Sequence, residues 1–188
     1  MEEETLKNIL YFLEKLDGAK MPLVWKIANG FPLTEDELYI DDDLDLSDSK
    51  ITLLPEGLKV SGNLILDYSK ITSLPEGLEV GGDLSLLYSN IESLAEGLTV
   101  YGDLNLYGCE KLESLAEKLY VGGDLFLNHC YKLKSLPKGL KVQNSLNITY
   151  TNLTKYSKDE LKKMVEPGYI KGDILDEDPE WGETEFAF

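Results

Sequence analysis

Arginine is absent from this chain of 188 residues: all 18 basic residues are lysines, set against 35 acidic ones for a formal net charge of −17. Without a planar guanidinium fork, two-point gripping of phosphate or carboxylate is lost. Nucleic acid and anionic membranes are held by clustered positive charge that releases counterions, so this balance predicts a partner that is neither. Histidine and cysteine are almost as scarce, with His129, Cys109 and Cys130 making up the whole supply. One imidazole and two thiols make neither a disulfide framework nor a zinc site of the usual spacing. No apolar run approaches the ~20 residues that cross a bilayer. The opening MEEETLKNILYFLEKL is acidic where a secretory signal is basic. The expectation is a cytoplasmic protein, with signal-less secretion as an effector still compatible with the same residues.

What is present is a repeat. LDLSDSKITLLPEGLKVSGN from Leu44 is followed by LILDYSKITSLPEGLEVGGD from Leu64 and LSLLYSNIESLAEGLTVYGD from Leu84. Two copies with one extra residue begin at Leu104 and Leu125, and a divergent one begins at Leu146 with LNITYTNL. The paired leucines of each LxL obey the strand period of two, which sends both to one face. Pro75 and Gly77 punctuate the copy, and Gly82 before Asp83 is expected to supply a position tolerant of positive φ where the coil turns back. A lone coil cannot bury its Leu, Ile and Val; stacking at the ~4.8 Å spacing of paired strands can.

These units resemble the leucine-rich repeats, most closely the bacterial class with ~20-residue units and an LPxxL signature. The resemblance covers Leu44 to about Leu153 and implies a solenoid of about six coils of 20–21 residues. One departure stands out: Val60 and Val80 lie four positions ahead of the first Leu rather than three, which keeps a right-handed β-helix open as the alternative geometry. Some effectors with this repeat class carry a ubiquitin-ligase domain with a nucleophilic cysteine. The 35 or so residues after Leu153 hold no Cys, so the resemblance implies a recognition module without an enzyme.

The ends read as caps, giving three segments: 1–43, 44–153 and 154–188. Upstream, Leu6, Ile9, Leu10, Leu13 and Leu16 fall at helical spacing. Leu38, Ile40 and Asp43 reproduce the second half of a repeat. Downstream, Ser157 is the expected N-cap of a helix over KDELKKMV, ended by Pro167 and Gly168. An acidic tail with Trp181, Phe186 and Phe188 closes the sequence, either folded back over the last coil or engaging a partner.

The residues able to carry chemistry each have a plain structural explanation. Cys109 and Cys130 fill the slot of Ser49, Ser69, Ser89 and Thr151, where a leucine-rich repeat places a side chain that satisfies backbone groups; they are expected as free thiols. His129, next to Cys130 on a strand, points to the opposite face, which spoils a nucleophile–base pair and a zinc site alike. Asp43, Asn63, Asp83, Asp103 and Asp124 form a column suited to turns and lack the recurring acceptor set of a calcium repeat. GGD precedes no helix that could hold a phosphate. Neither a catalytic residue nor a cofactor or metal is expected.

The positions around LxL vary while the framework stays fixed, as on a surface built for reading. Rings recur there at Tyr68, Tyr88, Tyr107, Phe126, His129 and Tyr150, beside the aliphatic Ile65 and Leu87. These eight residues are the expected partner-binding site, the alternative being rings that only stack on one another. Six strands span about 24 Å, a face smaller than the ~800 Å² per side of a standard interface, which suits a peptide or one helix. The expected function is non-enzymatic binding of a protein or peptide. A different reading is an acidic decoy that imitates nucleic acid. The sequence carries no signal for oligomeric state.

Overall fold

A computed structural model describes residues 23–177. It is a parallel β-solenoid with two narrow sheets, each of seven two-residue strands hydrogen-bonded in chain order. The strands of one sheet run Tyr39–Ile40, Lys59–Val60, Glu79–Val80, Thr99–Val100, Tyr120–Val121, Lys141–Val142 and Tyr169–Ile170; we call this the valine sheet. Those of the other, the leucine sheet, run Leu44–Asp45, Leu64–Ile65, Leu84–Ser85, Leu104–Asn105, Leu125–Phe126, Leu146–Asn147 and Ile174–Leu175. Register is in phase throughout, with Leu44, Leu64, Leu84, Leu104, Leu125 and Leu146 paired in succession. Five turns of 20 or 21 residues separate these leucines. The next pairing, Leu146 with Ile174, is 28 residues along.

The recurring aliphatics point inward. In one coil Leu64, Leu66, Ile71, Leu74, Leu78 and Val80 are all buried, and the pattern repeats along the molecule. Each such side chain contributes roughly 1.5–3 kcal/mol by leaving water. The valine sheet accounts for the four-residue offset of Val60 and Val80: a second short strand precedes the corner, so the coil has two hydrogen-bonded walls. On a third wall, between the two sheets, the backbones of Ser73, Ser93 and Ser114 form isolated parallel bridges.

At the corner Asn63 N–H donates to Asp43 Oδ1, Asp83 to Asn63, Asp103 to Asp83, Asp124 to Asp103 and Ser145 to Asp124, all at 2.7 Å. The column therefore functions as a ladder in which each side chain satisfies the backbone of the following coil. The glycine before it is required by contact and not, as expected for Gly82, by a positive φ. A Cβ on Gly82, Gly102 or Gly123 would sit 2.2, 2.1 or 1.9 Å from the ladder oxygen of the preceding coil. Left-handed backbone lies instead at Gly57, Gly77, Gly97 and Gly139 of the LPEGL turn, with Lys118 in the same slot at φ +58°.

The described residues at both ends include elements the repeat pattern does not announce. Tyr39–Ile40 pairs with Lys59–Val60, as the half-repeat implied. Helix α1, Leu23–Ala28, lies ahead of it with Ile27 buried. The periodic stretch from Leu6 to Leu16 lies outside the described residues. Helix α2, Lys158–Val165, forms where expected: Ser157 caps it reciprocally with Glu160 and Leu161 and Val165 are buried. This helix fills the long last turn, after which Tyr169–Ile170 and Ile174–Leu175 add one more rung to each sheet. The rungs thus run past Leu153 to Leu175. Trp181, Phe186 and Phe188 lie outside the described residues. Among the described residues no helix is long and apolar enough to cross a membrane.

Candidate functional site

Two residues after each inward LxL pair, the chain must reverse away from the leucine sheet. The reversal puts one residue per coil in the left-handed region: Asp48 at φ +54°, Tyr68 at +55°, Tyr88 at +51°, His129 at +61° and Tyr150 at +60°. Only Gly108, at +70°, is the residue type this conformation favours. For a side chain with a Cβ, left-handed backbone costs about 1–2 kcal/mol per residue. The sequence nonetheless places four rings there.

These rings form one ribbon. Tyr68 and Tyr88 stack at 5.5 Å between centroids and 24° between planes. Tyr88 meets Tyr107 at 5.4 Å and 77°, and Tyr107 meets His129 at 5.0 Å. His129 stacks on Tyr150 at 4.6 Å and 22°. Tyr107 comes from the position before Gly108 and carries the ribbon across the coil that has no ring in the left-handed slot. A Cβ on Gly108 would fall 2.3 Å from Tyr88 Cδ1, so the ring of Tyr88 depends on that glycine. In the two stacked pairs the facing surfaces are taken by the neighbour.

Of the eight expected residues, Tyr68, Tyr88 and Tyr150 are 53, 47 and 51% exposed. Tyr107 and His129 are half-buried within the ribbon. Ile65, Leu87 and Phe126 are half-buried on the outer side of the leucine sheet and form the floor beside it. Tyr131 belongs to the same patch and was not among the expected residues. It is 48% exposed, its ring lies 5.6 Å from His129, and its hydroxyl is 2.6 Å from His129 Nδ1. The only sequence signal for it is the extra residue that lengthens its coil after Cys130.

The polar neighbours are largely engaged in holding the backbone. Asp67 Oδ1 accepts from the Ser85 hydroxyl and the Leu87 N–H of the next coil. Asp45 accepts from the hydroxyl and N–H of Ser47, which hold its carboxyl below the ordinary range. Asn105 and Asn147 accept from the N–H groups of Tyr107 and Thr149. Thr149 is buried.

Behind the ribbon the slot of Ser69 and Ser89 continues along the solenoid to Cys109 and Cys130, with Ser89 Oγ 3.7 Å from Cys109 Sγ. Cys109 Sγ donates to Leu86 O and Cys130 Sγ to Leu106 O, both at 3.1 Å. Both thiols are free and fully buried. Burial pushes the Cys109 thiol up to about 11 and raises that of Cys130 as well. A thiol held protonated in this way is a poor nucleophile at neutral pH. Among the described residues no group of three or more His, Cys, Asp or Glu is placed to hold a metal ion.

A concavity of about 480 Å³ lies between Leu53, Leu54, Glu56, Ser73, Leu74, Pro75 and Glu76. Comparison with known proteins finds no match: no family model, no curated protein and no solved structure corresponds to this chain.

Proposed function

We propose that this protein is a non-catalytic binding module that takes a protein or peptide along the ring ribbon of its leucine sheet. The observation that carries this reading is the backbone beneath the rings. Tyr68, Tyr88, His129 and Tyr150 occupy left-handed positions that Gly108 shows a glycine can fill. A single ring pair contributes about 0.5–1.5 kcal/mol, close to the left-handed cost of about 1–2 kcal/mol, so one pair such as Tyr68 with Tyr88 does not by itself offset the strain beneath it. Strained residues kept on an exposed surface point to recognition. Rigid amphipathic rings lose little entropy on contact and are common in binding patches. The resemblance of the unit to bacterial LPX-type leucine-rich repeats, whose strand faces recognise partners, supports the same reading. The narrowness of the ribbon favours a single strand or helix as occupant.

Acidic imitation of nucleic acid is less well supported, because Asp43, Asp83, Asp103 and Asp124 are each committed to a neighbouring backbone N–H. Salt separates the two readings: an acidic decoy releases its partner at high ionic strength, whereas ring burial persists. The deciding experiment is capture from a native extract by the parent chain, by Tyr88→Ala/Tyr107→Ala, and by Tyr101→Ala on the valine-sheet side. Loss of capture in the double variant alone, with folding retained, is the expected result. Equal capture by all three would contradict the site.

A further inference from the structure

The ring ribbon begins beside a carboxylate. Its left-handed slot holds Asp48, Tyr68 and Tyr88 in successive coils. Equivalent bonds align them: Asp48 N–H donates to Asp67 O at 2.9 Å and Tyr68 N–H to Leu87 O at 2.8 Å. Tyr68 stacks on Tyr88 with 24° between planes, so its opposite face is turned along the solenoid toward the coil of Asp48. Among the described residues no second ring packs on Tyr68. An aspartate ends one carbon beyond its Cβ, whereas a tyrosine ring extends well past that point. The outer part of the Tyr68 face is therefore left uncovered by the residue in the neighbouring slot. Both side chains are exposed, and together they make a notch with a carboxylate at its foot and a ring face as its wall.

Foot and wall favour the same guest, a cation. Among the described residues the Asp48 carboxylate has neither an ion pair nor a side-chain hydrogen bond, and Lys50 and Lys70, the nearest lysines in sequence, form no ion pair. Asp67 accepts both of its bonds on Oδ1, as does Asp45, so each keeps a second oxygen for a further donor. Residues 45–48 and 65–68 include no lysine. The net charge of −17 adds a field that draws cations toward the surface. Among cationic side chains, the guanidinium is planar and weakly hydrated, lies flat on an aromatic face and presents a fork to a carboxylate. This chain has no arginine of its own, so that group has to come from a partner.

We infer that the notch between Asp48 and Tyr68 receives an arginine side chain of the protein or peptide that lies on the ring ribbon. The inference rests on the ribbon being the binding face and adds the chemistry and position of one anchor. The partner's basic residue sits at the Asp48 end, beside the part that covers Tyr88 and Tyr107.

The probe is N-acetyl-argininamide, with N-acetyl-citrullinamide as its uncharged isostere. Each is titrated into the isotope-labelled full chain at about 0.1 M salt and followed by backbone-amide NMR. The arginine probe should move the amides of residues 47–49 and 67–69, and the citrulline probe should leave them in place. Asp48→Asn keeps the shape of the side chain and removes its charge; Tyr68→Leu removes the ring face. Each should weaken the arginine probe about two- to five-fold, the range of an exposed ion pair or cation–π contact. Equal movement with citrulline, or arginine binding that is unchanged in both variants, would overturn the notch. Capture of the partner from a native extract reads the ribbon separately: it should fall in Asp48→Asn and in Tyr68→Leu as well as in Tyr88→Ala/Tyr107→Ala. Capture lost in that double variant yet unchanged in the other two would overturn this inference and leave the ribbon reading standing.

Discussion

Alanine and glycine at position 88 separate two opposing contributions to the ring ribbon. Both substitutions remove the contacts of the Tyr88 ring with Tyr68 at 5.5 Å and Tyr107 at 5.4 Å. At about 0.5–1.5 kcal/mol per pair the shared loss is about 1–3 kcal/mol. Alanine keeps a Cβ at φ +51° and with it the left-handed cost of about 1–2 kcal/mol, which glycine removes. Glycine in turn loses about 0.5–1 kcal/mol relative to alanine through the freedom of the unfolded chain. The balance makes Tyr88→Gly more stable than Tyr88→Ala by roughly 0.5–1 kcal/mol, the reverse of the order at an ordinary helical or extended site. In urea, with a slope of about 2 kcal/mol per molar, the two midpoints should differ by about 0.3–0.5 M with glycine the higher. An alanine variant as stable as the glycine variant, or more so, would refute the reasoning. Position 88 would then carry no backbone strain, and the principal support for a recognition role would be gone.

Lys118 is the one non-glycine residue in the turn slot held by Gly57, Gly77, Gly97 and Gly139; Lys118→Gly should raise stability by about 0.5–1 kcal/mol on the same arithmetic, read in the same urea titration. Asp83→Ala removes the 2.7 Å acceptor of the Asp103 N–H and should cost about 0.5–1.5 kcal/mol. Asp83→Asn keeps an oxygen there, as Asn63 does one coil earlier, and should unfold within about 0.5 kcal/mol of the parent. Cys109 and Cys130 should resist iodoacetamide at pH 8 in the native protein and react only in urea, since both are buried and Cys109 stays protonated up to about 11. Because its folded value lies above the ordinary 9, the associated stability is whole below pH 9 and is lost as pH rises toward 11; a native Cys109 alkylated at pH 8 would contradict this.

The stacking of the coils is legible in the sequence because its signal is local and repeated: each LxL sends two leucines inward, and near-identical copies can bury them only against one another. The valine sheet is much harder to read. Each of its strands carries a single inward aliphatic, such as Val60 or Val80, where the leucine sheet has the LxL pair, and the fourth-position offset of Val60 is its only trace. Gly82 shows a different limit. Its local sequence suggests a turn residue with unusual φ, while the real constraint is the Asn63 side chain of the coil below, a contact that no neighbouring residue announces. The last rung hides for a related reason: YIKGDIL repeats the pattern of EVGGDLS, but the insertion of α2 breaks the period that would have exposed it. At the candidate site the rings themselves were readable as outward-facing positions. The left-handed backbone beneath them was not, although Gly108 in the same slot as Tyr68 and Tyr88 was a clue to it.

The most direct test of the ring ribbon as a recognition surface is a backbone-amide NMR footprint of the captured partner on the isotope-labelled full chain. The account predicts shifts concentrated at residues 65–68, 85–88, 105–108, 126–131 and 149–150, with the valine sheet unmoved. Shifts centred instead on Tyr101, Tyr120 and Tyr169, with Tyr68 to Tyr150 unaffected, would contradict it.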